Sequence, residues 1–166
     1  MRVPIRKPGK YSNQKFDQYL TQEKFDQFKN QLDKLKNFSQ PKAIAEVQRL
    51  AELGDFSENA AYQMAKGKLR GINQKILELE QQIKQAKIIK PVDNVNSVQI
   101  GNRVTIEIDG LEQTYLLLGS TETNPTQGVI SYQSPIGSAI INHQIGDIVL
   151  IKLKDKVVEC RIVAII

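Results

Sequence analysis

Two carboxylates stand three residues apart in the stretch Leu53-Gly54-Asp55-Phe56-Ser57-Glu58-Asn59. Carboxylate oxygens are hard donors that suit Mg²⁺, an ion usually held by one or two carboxylates while water or a second molecule completes its octahedron. Asp55 and Glu58 alone therefore make a poor site. They would hold the ion against ligands supplied by a partner, and a metal placed that way can activate water and stabilise a phosphoryl displacement. The pair also has a purely structural reading. An Asp at a helix N-cap with a Glu three residues on satisfies orphan N–H groups much as a capping box does. Ser57 is already a competent cap, so that reading does not require both acids.

A second constellation follows at Lys66, Lys68, Arg70 and Lys75. Lys66 and Arg70 are i, i+4 on a helical pattern, a spacing at which like charges mildly destabilise the helix. A polyanion lying along that face would relieve the repulsion, and its binding would weaken with salt. The alternative is a row of solvated lysines. The charge distribution points the same way without deciding it: residues 1–90 carry 18 Lys/Arg against 10 Asp/Glu, and residues 91–166 carry 5 against 8. The basic half is the helical half.

Other chemistry is sparse. The sequence has no Gly-rich phosphate loop, no Cys/His cluster and no nucleophile elbow. His143, the single histidine, sits near a turn and reads as a surface or structural residue. Cys160, the single cysteine, excludes an internal disulfide and fits a reducing, cytoplasmic setting. Its place in an alternating apolar run reads as a buried thiol, not a nucleophile. No apolar run approaches the roughly 20 residues that span a bilayer, and the basic start lacks the apolar core of a secretion signal, so no membrane partner is expected.

The elements that would position these residues are read from periodicity. Residues 1–18, with Pro4, Pro8, Gly9 and five Lys/Arg, read as a basic disordered tail. Thr21 is a candidate N-cap, and Phe25, Phe28, Leu32 and Leu35 follow at spacings of 3 and 4. Pro41 predicts a restart capped by Ser39 or Gln40, with Ile44, Val47 and Ala51 resuming the stripe along one kinked arm. After residue 59, Tyr62, Ala65, Leu69, Ile72, Ile76, Leu79, Ile83 and Ala86 alternate spacings of 3 and 4 without a miss, a heptad seam. Two such helices joined by a short link make an antiparallel coiled-coil hairpin over 19–90, with Asp55 and Glu58 at its tip. Gly67 and Gly71 lie off the seam.

A linker is expected over 91–97, and beyond it the period becomes 2. Residues 103–108 and 113–118 read as a hairpin about Asp109-Gly110, residues 129–132 as a strand, and Ser134-Pro135 as the cap and first residue of a short helix to about Ile140. Residues 148–153 and 157–165 follow as strands about Lys154-Asp155-Lys156. The expectation is α+β: a small antiparallel sheet with one short helix over 98–166.

The wording of two stretches carries a resemblance. Gly54-Asp55-x-x-Glu58-Asn59-Ala60-x-Tyr62 and Ile130-Ser131-x-x-Ser134-Pro135-Ile136-Gly137 resemble motifs of the GreA/GreB family of bacterial transcript-cleavage factors. The likeness extends from Tyr19-Leu20-Thr21 to the C-terminus, and Pro41 falls where the family usually has a proline. It implies an FKBP-like C-terminal domain that grips the rim of the secondary channel of bacterial RNA polymerase, with Ser134 and Pro135 at the contact. It implies a coiled coil that enters the channel, where Asp55 and Glu58 help hold a catalytic Mg²⁺ shared with the polymerase. Backtracked RNA is then cut to give a new 3′ end. Lys66 lies where the family often has a basic residue near the transcript, and Lys68 and Arg70 are similar to the more basic GreB-like branch. A basic residue common in GreA before the tip is Ala51 here, with Arg49 nearby, and the leader before Tyr19 is outside the family's usual core. GreA-like and GreB-like assignments both stay open.

The resulting expectation is a monomeric cofactor, not an enzyme alone, that stimulates the polymerase's own cleavage of RNA. A channel inhibitor of the same fold, and a scaffold whose coiled coil pairs with itself or another protein, are the competing readings.

Overall fold

The heptad seam forms one helix, α3 (Ala60–Gln85). The computed structural model describes residues 17–52, 60–90, 96–152 and 157–166. In α3, Ile76 and Leu79 are buried, the seam positions Tyr62, Ala65, Leu69, Ile72 and Ile83 are half-buried, and every residue off the seam from Ala60 to Leu77 is exposed. That pattern belongs to a helix with one partner stripe and water on its other sides.

The partner is α1 (Gln22–Lys34) continued by α2 (Gln40–Glu52). Thr21 caps α1 as its sequence predicts, its hydroxyl accepting the Lys24 N–H at 3.2 Å. The predicted restart at Ser39 or Gln40 does not occur. A π-helical turn, Leu35–Ser39, joins α1 to α2, and Gln40 is helical (φ −65°, ψ −49°), its N–H bonded to the Leu35 carbonyl. Proline inside a helix removes one backbone bond and crowds the carbonyl four residues back. A wide turn just ahead of Pro41 relieves that crowding without ending the helix.

The wide turn also adds a residue, which rotates everything after it by about 100°. The stripe therefore resumes at Ala43, Val47 and Leu50. Ala43 and Leu50 are buried, whereas Ile44, expected in the seam, is 39% exposed. Val47 and Ala51 are half-buried.

Cross-arm contacts run in opposite order along the two limbs. Lys36 pairs with Glu80 at 2.5 Å, and Gln40 donates to Asn73 at 2.8 Å. The root is closed by β1 (Tyr19–Leu20) and β2 (Lys87–Ile88), which pair in parallel. Asp17 and Gln18, left in the leader by the sequence reading, belong to this root: the Gln18 carbonyl accepts the Lys87 N–H at 2.6 Å.

The sheet domain is built from β3 (Arg103–Ile108), β4 (Leu111–Leu118), β5 (Val129–Ser131), β6 (Ile148–Lys152) and β7 (Val157–Ile165), in the order β5-β4-β3-β7-β6. Asp109 and Gly110 both have positive φ and turn β3 into β4 in the expected register. The sheet is mixed, not antiparallel throughout, because β5 pairs with β4 in parallel. The chain between them, through short 3₁₀ turns at Ser120–Glu122 and Pro125–Gln127, returns β5 to the edge in β4's own direction. Alternation sends Val104, Ile106, Leu117, Ile151, Cys160 and Ile162 to one face, where the short helix α4 (Pro135–Ile140) covers them with Ile140. The whole is α+β.

Candidate functional site

Asp55 and Glu58 fall in 53–59, outside the described residues. The 26 residues of α3 span about 39 Å. Its C-terminal end meets β1 at the root, and its contacts climb toward Glu52 as its own numbering falls. Glu52, the end of α2, and Ala60, the start of α3, are thus the helix ends farthest from the root. Among the described residues no three His, Cys, Asp or Glu side chains converge as a metal site.

The basic residues divide between two flanks of α3. Lys66 and Arg70, four apart, share one flank, and the Lys66 ammonium lies 5.1 Å from the Tyr62 ring centroid. Lys68 is two residues from each and turns to the other flank, where it borders a groove of 370 Å³ with Lys42, Glu46, Ala43, Ala65 and Ile72. Lys68 therefore faces Glu46, whose carboxyl is held below the usual range first by its hydrogen bond from Arg49 and less by Lys68. Of Lys66, Lys68 and Arg70, the pair Lys66 and Arg70 shares a flank, as their i, i+4 spacing predicts. Lys75 is likewise engaged, 3.8 Å from Glu78.

Ser134 and Pro135 open α4 as predicted. The Ser134 hydroxyl accepts the Gly137 N–H at 3.0 Å, and Pro135 occupies the first turn, where a missing N–H costs nothing. Gly137 lies so close to β5 that a Cβ would come 2.1 Å from the Ser131 carbonyl. Half of this motif is thus packing. Its exposed part is Pro135, which lines a surface cleft of 460 Å³ with Gln133, Ser138, Ala139, Leu150 and Lys152. Leu150 is 61% exposed, and the sequence reading did not single it out. The signal was the alternation of β6, which sends Val149 and Ile151 inward and Ile148, Leu150 and Lys152 outward.

The remaining reactive groups are structural. Cys160 is fully buried, and burial pushes its thiol pKa up. His143 Nδ1 sits 3.2 Å from Asp147 on the surface, and Asp147 also accepts the Gln144 N–H at 2.8 Å. Among the described residues no helix is long and apolar enough to cross a membrane.

Comparison with known proteins covers both parts of this architecture. A family model described as transcription elongation factor, N-terminal, matches residues 18–88, and one described as transcription elongation factor, GreA/GreB, C-term, matches 93–166. Transcription elongation factor GreA of Thermomicrobium roseum is 35% identical over 148 residues, 88% of this chain and 95% of that protein. Its counterpart in Staphylococcus carnosus is 39% identical over 136 residues, 81% of this chain and 85% of that one. The crystal structure of GreA factor homolog 1 of Thermus thermophilus, 25% identical, aligns over 89% of this chain and 97% of that one with a TM-score of 0.41.

Proposed function

This chain belongs to the GreA/GreB family of transcription elongation factors, and from that premise we propose that it is an elongation factor that stimulates the cleavage of backtracked RNA inside bacterial RNA polymerase. The observation that carries the reading is the one-sided burial of α3: between Ala60 and Leu77 only the seam is covered, so the arm is two helices thick with water around it. Such an arm is about 10–12 Å across per helix and about 39 Å long. It suits entry into a narrow channel of another machine, and Asp55 and Glu58 fall in the sequence between its two limbs, after Glu52 of α2 and before Ala60 of α3.

In this reading the sheet domain docks at the channel rim through Pro135, with Leu150 and Lys152 on the same cleft. Ser134 contributes by capping α4 and fixing the direction of that surface. Lys66 and Arg70 hold phosphates of the extruded 3′ end, and Lys68 serves the opposite flank. Asp55 and Glu58 offer two carboxylates, a donor set that fits Mg²⁺ only when water and a partner's groups complete the octahedron. Bound there, Mg²⁺ would supply an activated water and neutralise developing phosphoryl charge. The protein itself is then a cofactor, working as a monomer and without a membrane.

The test is to add the purified protein to backtracked elongation complexes and follow the labelled transcript. Shortening from the 3′ end supports the reading. Slowed synthesis with no shortening would make the protein a channel inhibitor. No effect on either, together with a stable dimer, would leave a coiled-coil scaffold.

A further inference from the structure

The root of the arm and the sheet domain are joined by two carboxylates that cap each other's elements. In a capping box, the acid at the third helical position reaches back to the N–H of the cap residue. In α1 that position is Lys24, which cannot accept. Glu122, from the sheet domain, takes its place: Oε1 accepts the Thr21 N–H at 2.8 Å and Oε2 accepts the Thr21 hydroxyl at 2.6 Å, across 101 residues. The arm answers in kind. Asp17 Oδ2 accepts the Ser120 N–H at 2.7 Å and the Ser120 hydroxyl at 3.0 Å, capping the 3₁₀ turn that carries Glu122, while Oδ1 accepts the Tyr19 N–H at 3.0 Å.

The backbone between the two caps is pressed together. A Cβ on Gly119 would lie 2.3 Å from the Tyr19 carbonyl, so only glycine admits this approach. Beside it the Tyr19 and Tyr132 rings meet edge to face, 5.6 Å apart at 83°. The Tyr132 hydroxyl also donates to Asp17 Oδ1 at 3.5 Å. Hydrogen bonds to a carboxylate are stronger than neutral ones, and among the described residues five join the two parts here.

We propose that Asp17 and Glu122 are a latch that fixes the angle at which the arm leaves the sheet domain, and that they are positioning residues for the tip acids. The lever is long. With about 39 Å from root to far end, a tilt of about 10° would carry the tip by about 7 Å, whereas misplacement of reacting groups by about 1 Å already costs about a hundredfold in rate. A sheet domain docked at one point can deliver Asp55 and Glu58 to another only if this joint is stiff. The positioning role rests on the function proposed above; the latch itself does not.

Two measurements separate them. Nitroxide labels at Gln48 on α2 and Glu112 on β4, both exposed, report the angle of the joint in the full chain without polymerase. The parent and Thr21→Ser are expected to give one narrow distance distribution. Glu122→Gln should widen it, and the Asp17→Ala/Glu122→Ala double variant should widen it at least twofold with far-UV circular dichroism unchanged. An unchanged distribution in the double variant overturns the latch. With backtracked complexes, the double variant is expected to lose about tenfold in maximal cleavage rate while the half-saturating concentration changes less than twofold, since docking through Pro135 is untouched. A wide distribution with full maximal rate overturns the positioning role. A parent chain that cleaves nothing overturns the function reading, and the distance distributions then still decide the latch.

Discussion

The Gln40 N–H bonds the Leu35 carbonyl, five residues back instead of four, and this single wide turn sets the register of the outer half of the arm. With regular α-helix the seam after Leu35 would pass through Ser39, Lys42, Glu46 and Arg49, all but the first charged. With one residue absorbed in the turn it passes through Ala43, Val47 and Leu50.

That account predicts which deletions the arm tolerates. Removing Phe38, 64% exposed, together with Pro41→Ala, leaves Ala43, Val47 and Leu50 at ordinary spacings from Leu35. Its melting temperature should stay within about 4 °C of the parent. Removing Ala45 instead brings Gln48 into the seam and takes Val47 and Leu50 out, which should lower it by about 6–12 °C. Equal losses for the two deletions would contradict the register.

The seam of α3 is legible because its seven positions, and Ala86 just beyond its end, obey one spacing, and the outer half of the arm departs from its pattern for the complementary reason. Ile44 looked like a seam residue only if the helix restarted at Pro41, and a π turn leaves no mark in a hydrophobic pattern beyond a one-residue slip. Asp109-Gly110 announced its hairpin, since few other pairs accept two positive φ values. The parallel pairing of β5 with β4 was not legible, because strand direction depends on where the intervening turns return the chain. Nor was the partnership of Thr21 with Glu122, 101 residues apart. Lys66, Lys68 and Arg70 read as one cluster in sequence, but a helix turning 100° per residue puts Lys68 on the other flank.

Gly67 and Gly71 are exposed in mid-helix, and a Cβ at either would meet nothing within 4 Å. Alanine at each should therefore stabilise the isolated protein by about 0.5–1 kcal/mol through helix propensity and a less flexible unfolded chain. For a protein of this size the double variant should melt about 2–8 °C higher. A lower melting temperature would show that these positions pack against something in the folded chain.

Cys160 lies in β7 with no exposed surface, and burial holds its thiol above the ordinary pKa. The thiolate is the reactive form. Reaction with a disulfide reagent at pH 8 should be slower in the native protein than in denaturant by on the order of a hundredfold or more, limited by opening of the sheet. Rapid native labelling would contradict the placement of β7 in the core.

The central claim is that a thin arm delivers two carboxylates to a partner's metal. Its most direct measurement is the rate of transcript cleavage in backtracked polymerase complexes with the parent, Asp55→Asn and Glu58→Gln proteins, each at concentrations shown by competition to occupy the polymerase. The account predicts that the parent shortens the transcript and that each variant binds as the parent does but cleaves at least about a hundredfold more slowly, the scale of losing a group that acts in the transition state. Cleavage at the parent's rate by both variants would contradict it.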